Sequence, residues 1–112
     1  MPEQSKRYNI VSVPLLNLYV ATDKQQRLRL SADIVKMYEL AAGNRVELGF
    51  VADERAICLR QASGGNLEAA NVDQRGYISA RRFFAKSQIP AAAGRYVFEA
   101  EQDGWLIFVR AE

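Results

Sequence analysis

Short stretches in which apolar and polar residues alternate recur along this chain, and polar turn sequences separate them. Alternation with a period of two residues is typical of a β-strand that buries one face. It is clear between residues 46 and 50, where a glutamate and a glycine separate apolar side chains. Asp103-Gly104 is a strong two-residue hairpin turn sequence. The pattern therefore predicts a mainly β-structure with short helices.

Turn sequences divide the alternating stretches into eight predicted strands. They run through Leu16–Thr22, Arg27–Leu30, 46–50, Ala56–Arg60, Leu67–Val72, Tyr77–Ser79, 96–101 and Trp105–Arg110. Pro14 argues against a central strand earlier in the chain, because proline cannot donate a ladder hydrogen bond. Residues 1–7 are polar and are expected to be disordered.

Helical spacing replaces alternation at Ala32–Leu40, which predicts a short amphipathic helix. Ser31 precedes it as a suitable N-cap, and Asp33 in the first turn complements the helix dipole. Gly43-Asn44 is expected to end this helix, since glycine tolerates the left-handed conformation that follows many helices.

A second short helix is predicted at Ala80–Gln88. It would carry Phe83, Phe84 and Ile89 toward the core. Pro90 is expected to stop it, because proline has no N–H with which to continue a helix.

The order strand, turn, strand, helix, strand, hairpin, strand occurs twice. Leu28–Leu48 contains the clearer copy of its central part. Tyr77–Phe98 contains a weaker copy about fifty residues later. Two copies of a small unit are therefore the main feature of the sequence.

The two copies are predicted to span about 16–61 and 67–111, with a Gly/Ser-rich linker at 62–66. Each copy alone is too short to bury an adequate core. We therefore expect a single domain over residues 1–112, in which the halves interlock into one pseudo-twofold barrel.

The residue composition argues against an enzyme. The 112-residue chain contains no histidine, which excludes histidine-based triads and histidine metal sites. The single Cys58 cannot form a thiolate zinc site or an internal disulfide, and its apolar neighbours indicate a buried strand residue. We expect no catalytic residue, no metal site and no cofactor.

No stretch approaches the roughly 18 apolar residues of a membrane-spanning helix. Pro14 and Asn17 interrupt the apolar stretch near the N-terminus, which argues against a signal peptide. The expected location is therefore cytoplasmic, without membrane association.

Charged residues are distributed unevenly, although the formal net charge is only +2. Five basic residues lie between residues 24 and 46, and five more lie between residues 74 and 98, where there is no acid. The acids collect instead near the outer hairpins, at Glu47, Asp53, Glu54, Glu99, Glu101 and Asp103. This distribution indicates one positive face and one negative face.

The first copy resembles the repeat of the AbrB/SpoVT transcription regulators. The residues that match in register are Asp23, Arg27, Leu28, Leu30, Ser31, Asp33, Ile34, Lys36, Leu40, Gly43, Asn44, Val46 and Leu48. Gln26 replaces the turn glycine of that family, which is costly if the position needs a positive φ. The second copy keeps Asp73, Gly76 and Gly94 but has Tyr77 where arginine is expected.

Two copies in one chain are similar to the MraZ subgroup, in which each repeat carries Asp-x-x-x-Arg. Asp23–Arg27 satisfies that motif, whereas Asp73–Tyr77 does not. The resemblance implies a swapped-hairpin barrel, and it covers most of residues 16–110.

The resemblance also implies binding of double-stranded DNA by the turn, the following strand and the first helical turn of each copy. A transcription regulator of this kind would use basic residues from both copies, and it could act as a homo-oligomer. Together with the basic distribution, the candidate DNA-binding residues are Lys24, Arg27, Arg29, Lys36, Arg75, Arg81, Arg82 and Lys86.

A protein-binding module on the same scaffold is the alternative hypothesis. Val35 and Phe83-Phe84 stand at helix positions where the family often has basic residues. A diverged repeat could have lost DNA contacts and gained a protein partner, as an inhibitor, an antitoxin-like protein or an adaptor. Fold alone does not separate these two hypotheses.

Overall fold

The computed structural model describes residues 6–13, 15–40, 44–63 and 66–111. Within them, eight antiparallel strands form a nearly closed barrel with two short helices. The strands are β1 (Tyr19–Thr22), β2 (Arg27–Leu30), β3 (Arg45–Val51), β4 (Ala56–Gln61), β5 (Ala70–Asn71), β6 (Tyr77–Ser79), β7 (Gly94–Gln102) and β8 (Trp105–Arg110). The helices are α1 (Ala32–Met37) and α2 (Arg81–Ser87).

One sheet contains all these strands in the order β5-β3-β4-β8-β7-β1-β2-β6. Its two end strands, β5 and β6, are consecutive in the chain and are joined by a turn that begins at Asp73. The Asp73 N–H donates to the Tyr77 carbonyl at 3.0 Å within that turn. The sheet therefore curls until its two edges meet there, which nearly closes the barrel.

Hairpins from the two halves of the chain alternate around the barrel. The β1–β2 hairpin lies between β7 and β6, and the β3–β4 hairpin lies between β5 and β8. In the β2–β6 pair, Leu28 lies opposite Ile78, and Arg29 lies opposite Tyr77. Strands from each half therefore depend on the other half for their hydrogen-bonded neighbours.

Apolar side chains from both halves fill the barrel. Cys58 is 7% exposed, so the prediction of a buried strand residue is confirmed. The largest fully buried side chains are Phe108, Leu28, Leu30, Ile34, Leu40, Ile57, Leu59, Ile78, Val20 and Val46. Because they come from both halves, one continuous core supports the whole barrel.

The helix ends differ from the predictions. α1 ends at Met37 rather than near Leu40, because the chain turns into the left-handed region at Glu39, where φ is 53°. Gly43, the expected terminator, lies outside the described residues. α2 lies within the predicted range Ala80–Gln88, and it ends at Ser87 because Gln88 adopts a left-handed conformation with a φ of 64°.

Ser31 occupies the N-cap position of α1, but its side chain does not cap the helix. Its hydroxyl accepts the Tyr19 N–H at 3.3 Å, and its own N–H donates to the Tyr19 carbonyl at 3.0 Å. The predicted capping role is therefore wrong. Ser31 instead joins the start of α1 to β1.

Two predicted strands begin too early. Leu16 to Leu18 lie outside β1, because the Asn17 N–H donates to the Asp33 carboxylate at 2.7 Å rather than to a neighbouring strand. β5 contains two residues, because the Asn66 side chain accepts the Glu68 N–H at 2.9 Å and forms a local turn. Polar side chains close to each strand end therefore compete with the sheet.

The hairpin turn at Asp103-Gly104 is confirmed, and both residues have the positive φ values that such a turn requires, 54° and 85°. Gln26, which replaces the turn glycine, has a positive φ of 60°, so the cost named for that position applies. Residues 1–5, Pro14 and the linker residues Gly64-Gly65 lie outside the described residues, as does Glu112.

Candidate nucleic-acid interface

The outward side chains of β2 and β6 form the centre of the candidate interface. Leu28 and Ile78 are fully buried in the barrel. Successive side chains of a strand point to opposite faces, so Arg27, Arg29 and Tyr77 project from the outer face. This face therefore combines two guanidinium groups with one aromatic ring.

Three arginines surround the Tyr77 ring. The Cζ atom of Arg27 lies 4.4 Å from the ring centroid, that of Arg75 lies at 5.0 Å and that of Arg29 lies at 5.6 Å. These distances fall within the range of a cation–π interaction. We call Tyr77 with Arg27, Arg29 and Arg75 the Tyr77 cluster. The ring holds three predicted DNA-binding residues close together.

An aspartate orders the turn beside each of these strands. Asp23 accepts the N–H groups of Gln25 and Arg27 at 2.9 and 3.1 Å, and it accepts the Arg27 Nε–H at 2.8 Å. Burial alone would raise the pKa of Asp23, but these hydrogen bonds and the Arg27 charge lower that pKa below its ordinary value of 3.8. Asp23 therefore stays ionised and partly neutralises Arg27.

Asp73 performs the same role in the second turn. It accepts the Arg75 N–H at 2.8 Å and the Tyr77 N–H at 3.0 Å. The bond from Tyr77, then that from Arg75 together with the Arg75 charge, lower the pKa of Asp73 although slight burial opposes this. The Arg75–Asp73 ion pair is longer, at 3.7 Å, and the Arg75 side chain is 71% exposed. Arg75 therefore remains available to a ligand.

A groove of about 1180 Å³ lies beside β3 and α2 and contains three more predicted residues. Arg81, Arg82 and Lys86 line it, and all three are exposed. We call it the α2 groove. Its lining residues are Leu48, Gly49, Phe50, Leu67, Glu68, Ala70, Ser79, Ala80, Arg81, Arg82, Phe83, Lys86 and Trp105.

The α2 groove and the Tyr77 cluster are neighbours on the surface. A smaller depression of about 490 Å³ is lined by Arg27 and Tyr77 and also by Ala70 and Ser79. Ala70 and Ser79 line the α2 groove as well. Six predicted DNA-binding residues therefore lie along one continuous stretch of surface.

Lys24 and Lys36 lie on elements that contact the opposite half. Lys24 is exposed in the β1–β2 turn, whose Gln26 carbonyl accepts the Ala80 N–H at 2.9 Å at the start of α2. Lys36 is exposed on α1, and a Cβ atom at Gly76 would lie 3.3 Å from the neighbouring Val35 side chain. Each turn therefore packs beside the helix of the other half. Neither lysine is among the lining residues of the α2 groove.

Several exposed acids lie on strands outside the candidate interface. Asp53 and Glu54 lie in the β3–β4 turn, and Glu99, Glu101 and Asp103 lie on the β7–β8 hairpin. Glu47 is held by Arg60, whose Nε–H donates to it at 2.9 Å. These carboxylates are separated in the sheet from β2 and β6, whereas Asp73 lies beside the Tyr77 cluster and Glu68 lines the α2 groove.

Tyr77 is the residue that sequence reasoning missed. In the sequence it marks a departure from an arginine motif, and nothing local indicates that Arg29 would face it from another strand. The alternation of Arg27 and Arg29 was the available signal, because it places both side chains on one face of β2. The ring itself could be recognised only from the pairing of β2 with β6.

No family model matches this chain, and neither the curated proteins nor the solved structures contain a match. None of the helices in the described part of the chain is long and apolar enough to cross a bilayer. Among the same residues, no group of three or more acidic or cysteine side chains is arranged to hold a metal ion.

Proposed function

We propose that the protein is a cytoplasmic protein that binds double-stranded DNA and regulates transcription. The observation that carries this proposal is the continuous cationic surface formed by the Tyr77 cluster and the α2 groove. Arginine and lysine contacts to phosphates supply most of the affinity of non-specific DNA binding. Arginines on a strand can in addition reach base edges and read sequence.

The stacking in the Tyr77 cluster favours a positioning role for its arginines. A guanidinium held over an aromatic ring loses less conformational freedom when it binds a phosphate. Arg29 and Arg75 are exposed, whereas Arg27 already donates to Asp23. Arg29 and Arg75 are therefore the expected phosphate contacts of this cluster, and Arg27 supports them.

The architecture that we propose for this function is a tandem repeat with swapped hairpins, as the resemblance to AbrB/SpoVT regulators and the MraZ arrangement implies. Three features support it. Asp23 and Asp73 order their turns with equivalent hydrogen bonds. The Leu30 N–H donates to Gly76 at 2.8 Å, and the Ala80 N–H donates reciprocally to Gln26 at 2.9 Å. The hairpins of each half also insert between strands of the other.

Fluorescence anisotropy of labelled random duplex DNA, titrated with protein at several salt concentrations, tests the DNA proposal. We expect an affinity that falls steeply as salt rises. Substituting Arg29→Ala together with Arg82→Ala should reduce the slope of log K against log salt by about 2, since each lost phosphate contact removes about 0.9.

A matched control removes two positive charges from elsewhere on the protein. Arg55 lies in the β3–β4 turn with a φ of 51°, and Arg110 is exposed at the end of β8. Arg55→Gly with Arg110→Ala changes the net charge equally, and we expect it to leave the salt slope nearly unchanged. An equal loss in both double variants would contradict the proposed surface. No binding by the folded protein at low salt would contradict DNA binding itself.

A further inference from the structure

The floor of the α2 groove is apolar although the groove opens to solvent. Leu48 and Phe50 of β3 contribute to it, and the Phe50 ring packs edge-on against Phe83 at a centroid distance of 6.5 Å. Trp105 also lines the groove, but on the opposite face of β3, where a Cβ atom at Gly49 would lie 3.2 Å from its ring. Uncovered apolar surface of this kind, with a charged margin, is typical of a protein-binding site.

The first half of the chain partly covers the corresponding strand edge. There, Leu18 precedes β1, packs against the core and accepts the Phe98 N–H at 3.1 Å. At the corresponding place before β5 the chain has Glu68, which is exposed, and Leu67 is 89% exposed. The second half therefore lacks the apolar residue that precedes the strand in the first half.

An open strand edge accompanies the uncovered floor. β5 pairs with β3 only at Arg45 and Val46. Within the described residues, β3 from Leu48 to Val51 has no hydrogen-bonded neighbour on that side. An extended segment can add to such an edge as a further strand, with backbone hydrogen bonds for affinity and alternate side chains for specificity.

The charges along the groove indicate the chemistry of that segment. Arg81, Arg82 and Lys86 lie on its α2 side, and Glu68 is the single acid among its lining residues. We propose that the α2 groove binds an extended segment of a partner protein in which large apolar residues alternate with acidic ones. The apolar side chains rest on Leu48 and the neighbouring rings, and the acidic ones face α2.

The exposed N-terminal segment of a second copy does not match this chemistry. It presents Tyr8, Ile10, Val11 and Val13 to solvent, but Lys6-Arg7 precedes them. These two cations would meet the cationic side of the groove, which opposes binding. The proposal does not depend on DNA binding, because the apolar floor and the open edge are independent of any phosphate contact.

Trp105 supplies a direct readout, since it is the only tryptophan of the chain and lines the groove. The probe is a short, end-blocked peptide that alternates glutamate with leucine, and its control replaces every glutamate with lysine. We expect saturable changes in Trp105 fluorescence and in calorimetric heat with the acidic peptide, at micromolar affinity. Absence of both signals, or equal binding of the basic peptide, would overturn the proposal.

Two variants locate the binding site. Lys86→Glu should weaken the acidic peptide about fivefold, whereas Lys36→Glu, at the corresponding position of α1, should leave its affinity unchanged. Glu68→Leu should place an apolar side chain over the floor and weaken the peptide while leaving the protein folded. Equal effects of the two lysine variants, or full affinity in the Glu68→Leu protein, would place the peptide elsewhere and overturn the proposal.

Discussion

Gly76→Ala tests the backbone of the turn that carries the second half of the candidate interface. Gly76 has a φ of 87°, and a Cβ atom built on it would lie 2.9 Å from the Leu30 carbonyl oxygen. That contact is with backbone rather than with a flexible side chain, so the turn itself must move. The movement would strain the hydrogen bond, 2.8 Å long, from the Leu30 N–H to the Gly76 carbonyl.

The expected loss of stability follows from these contacts. A left-handed conformation costs a residue with a side chain about 1–2 kcal/mol, and loss of one hydrogen bond costs about 1 kcal/mol. Alanine recovers somewhat less than 1 kcal/mol, because it restricts the unfolded chain. We therefore expect Gly76→Ala to lower the free energy of unfolding by about 2 kcal/mol and Tm by roughly 10 °C.

The first half of the chain provides the matched control. Gln26 occupies the equivalent turn position with a φ of 60°, so the native protein already accommodates a side chain there. Gln26→Ala should change the free energy of unfolding by less than about 0.5 kcal/mol, and Gln26→Gly should raise it by at most about 1 kcal/mol.

Thermal unfolding followed by circular dichroism, together with urea titration, measures both positions. A Gly76→Ala protein within about 2 °C of the parent would refute the reasoning, since it would mean that the turn relaxes without strain. Equal losses for Gly76→Ala and Gln26→Ala would refute the distinction between the two turns.

Three further predictions concern the core, the halves and pH. Phe108→Ala should lower the free energy of unfolding by about 3–5 kcal/mol in urea titration, because Phe108 is fully buried; a loss below about 1 kcal/mol would contradict its place in the core. Halves expressed separately, divided between residues 64 and 65, should give poorly dispersed NMR spectra, and a well-folded monomeric half would contradict the interdependent sheet. In the folded protein the pKa values of Asp23, Asp73 and Glu47 lie below their ordinary values, which are 3.8 for aspartate and 4.5 for glutamate. The stability that the ionised carboxylates contribute is therefore present above the ordinary values and is lost as pH falls through the lower, folded-state values. Tm should therefore fall on acidification below about pH 4, and Asp23→Asn should flatten that fall; an unchanged pH profile in this variant would contradict the role of the Asp23 turn.

The predicted strands agree best with the structure where turn chemistry and alternation coincide. β2, β6 and β8 have the predicted bounds, and Asp103-Gly104 forms the predicted turn. The predictions fail at Leu16–Leu18 and Leu67–Ala69, where apolar residues suggest a strand. There, single polar side chains bind nearby N–H groups and remove them from the sheet.

For the candidate site, the sequence shows which residue types are present but not which of them lie close together in the structure. The basic residues can be counted in the sequence, and period-two alternation places Arg27 and Arg29 on one face. Their convergence on Tyr77 depends on the pairing of β2 with β6, which are separated in the chain by residues 31–76. Long-range pairing of this kind leaves no local pattern in the sequence.

The sequence by itself determined the local elements, namely the hairpin turns, the short helices and the doubled order of strands, because these follow from φ preferences and side-chain periodicity over a few residues. Only the tertiary structure decided which strands became neighbours. That choice depends on burying Leu28 against Ile78 and the other core residues of both halves at once. It also left the floor of the α2 groove uncovered, since Glu68 stands where the first half has an apolar leucine.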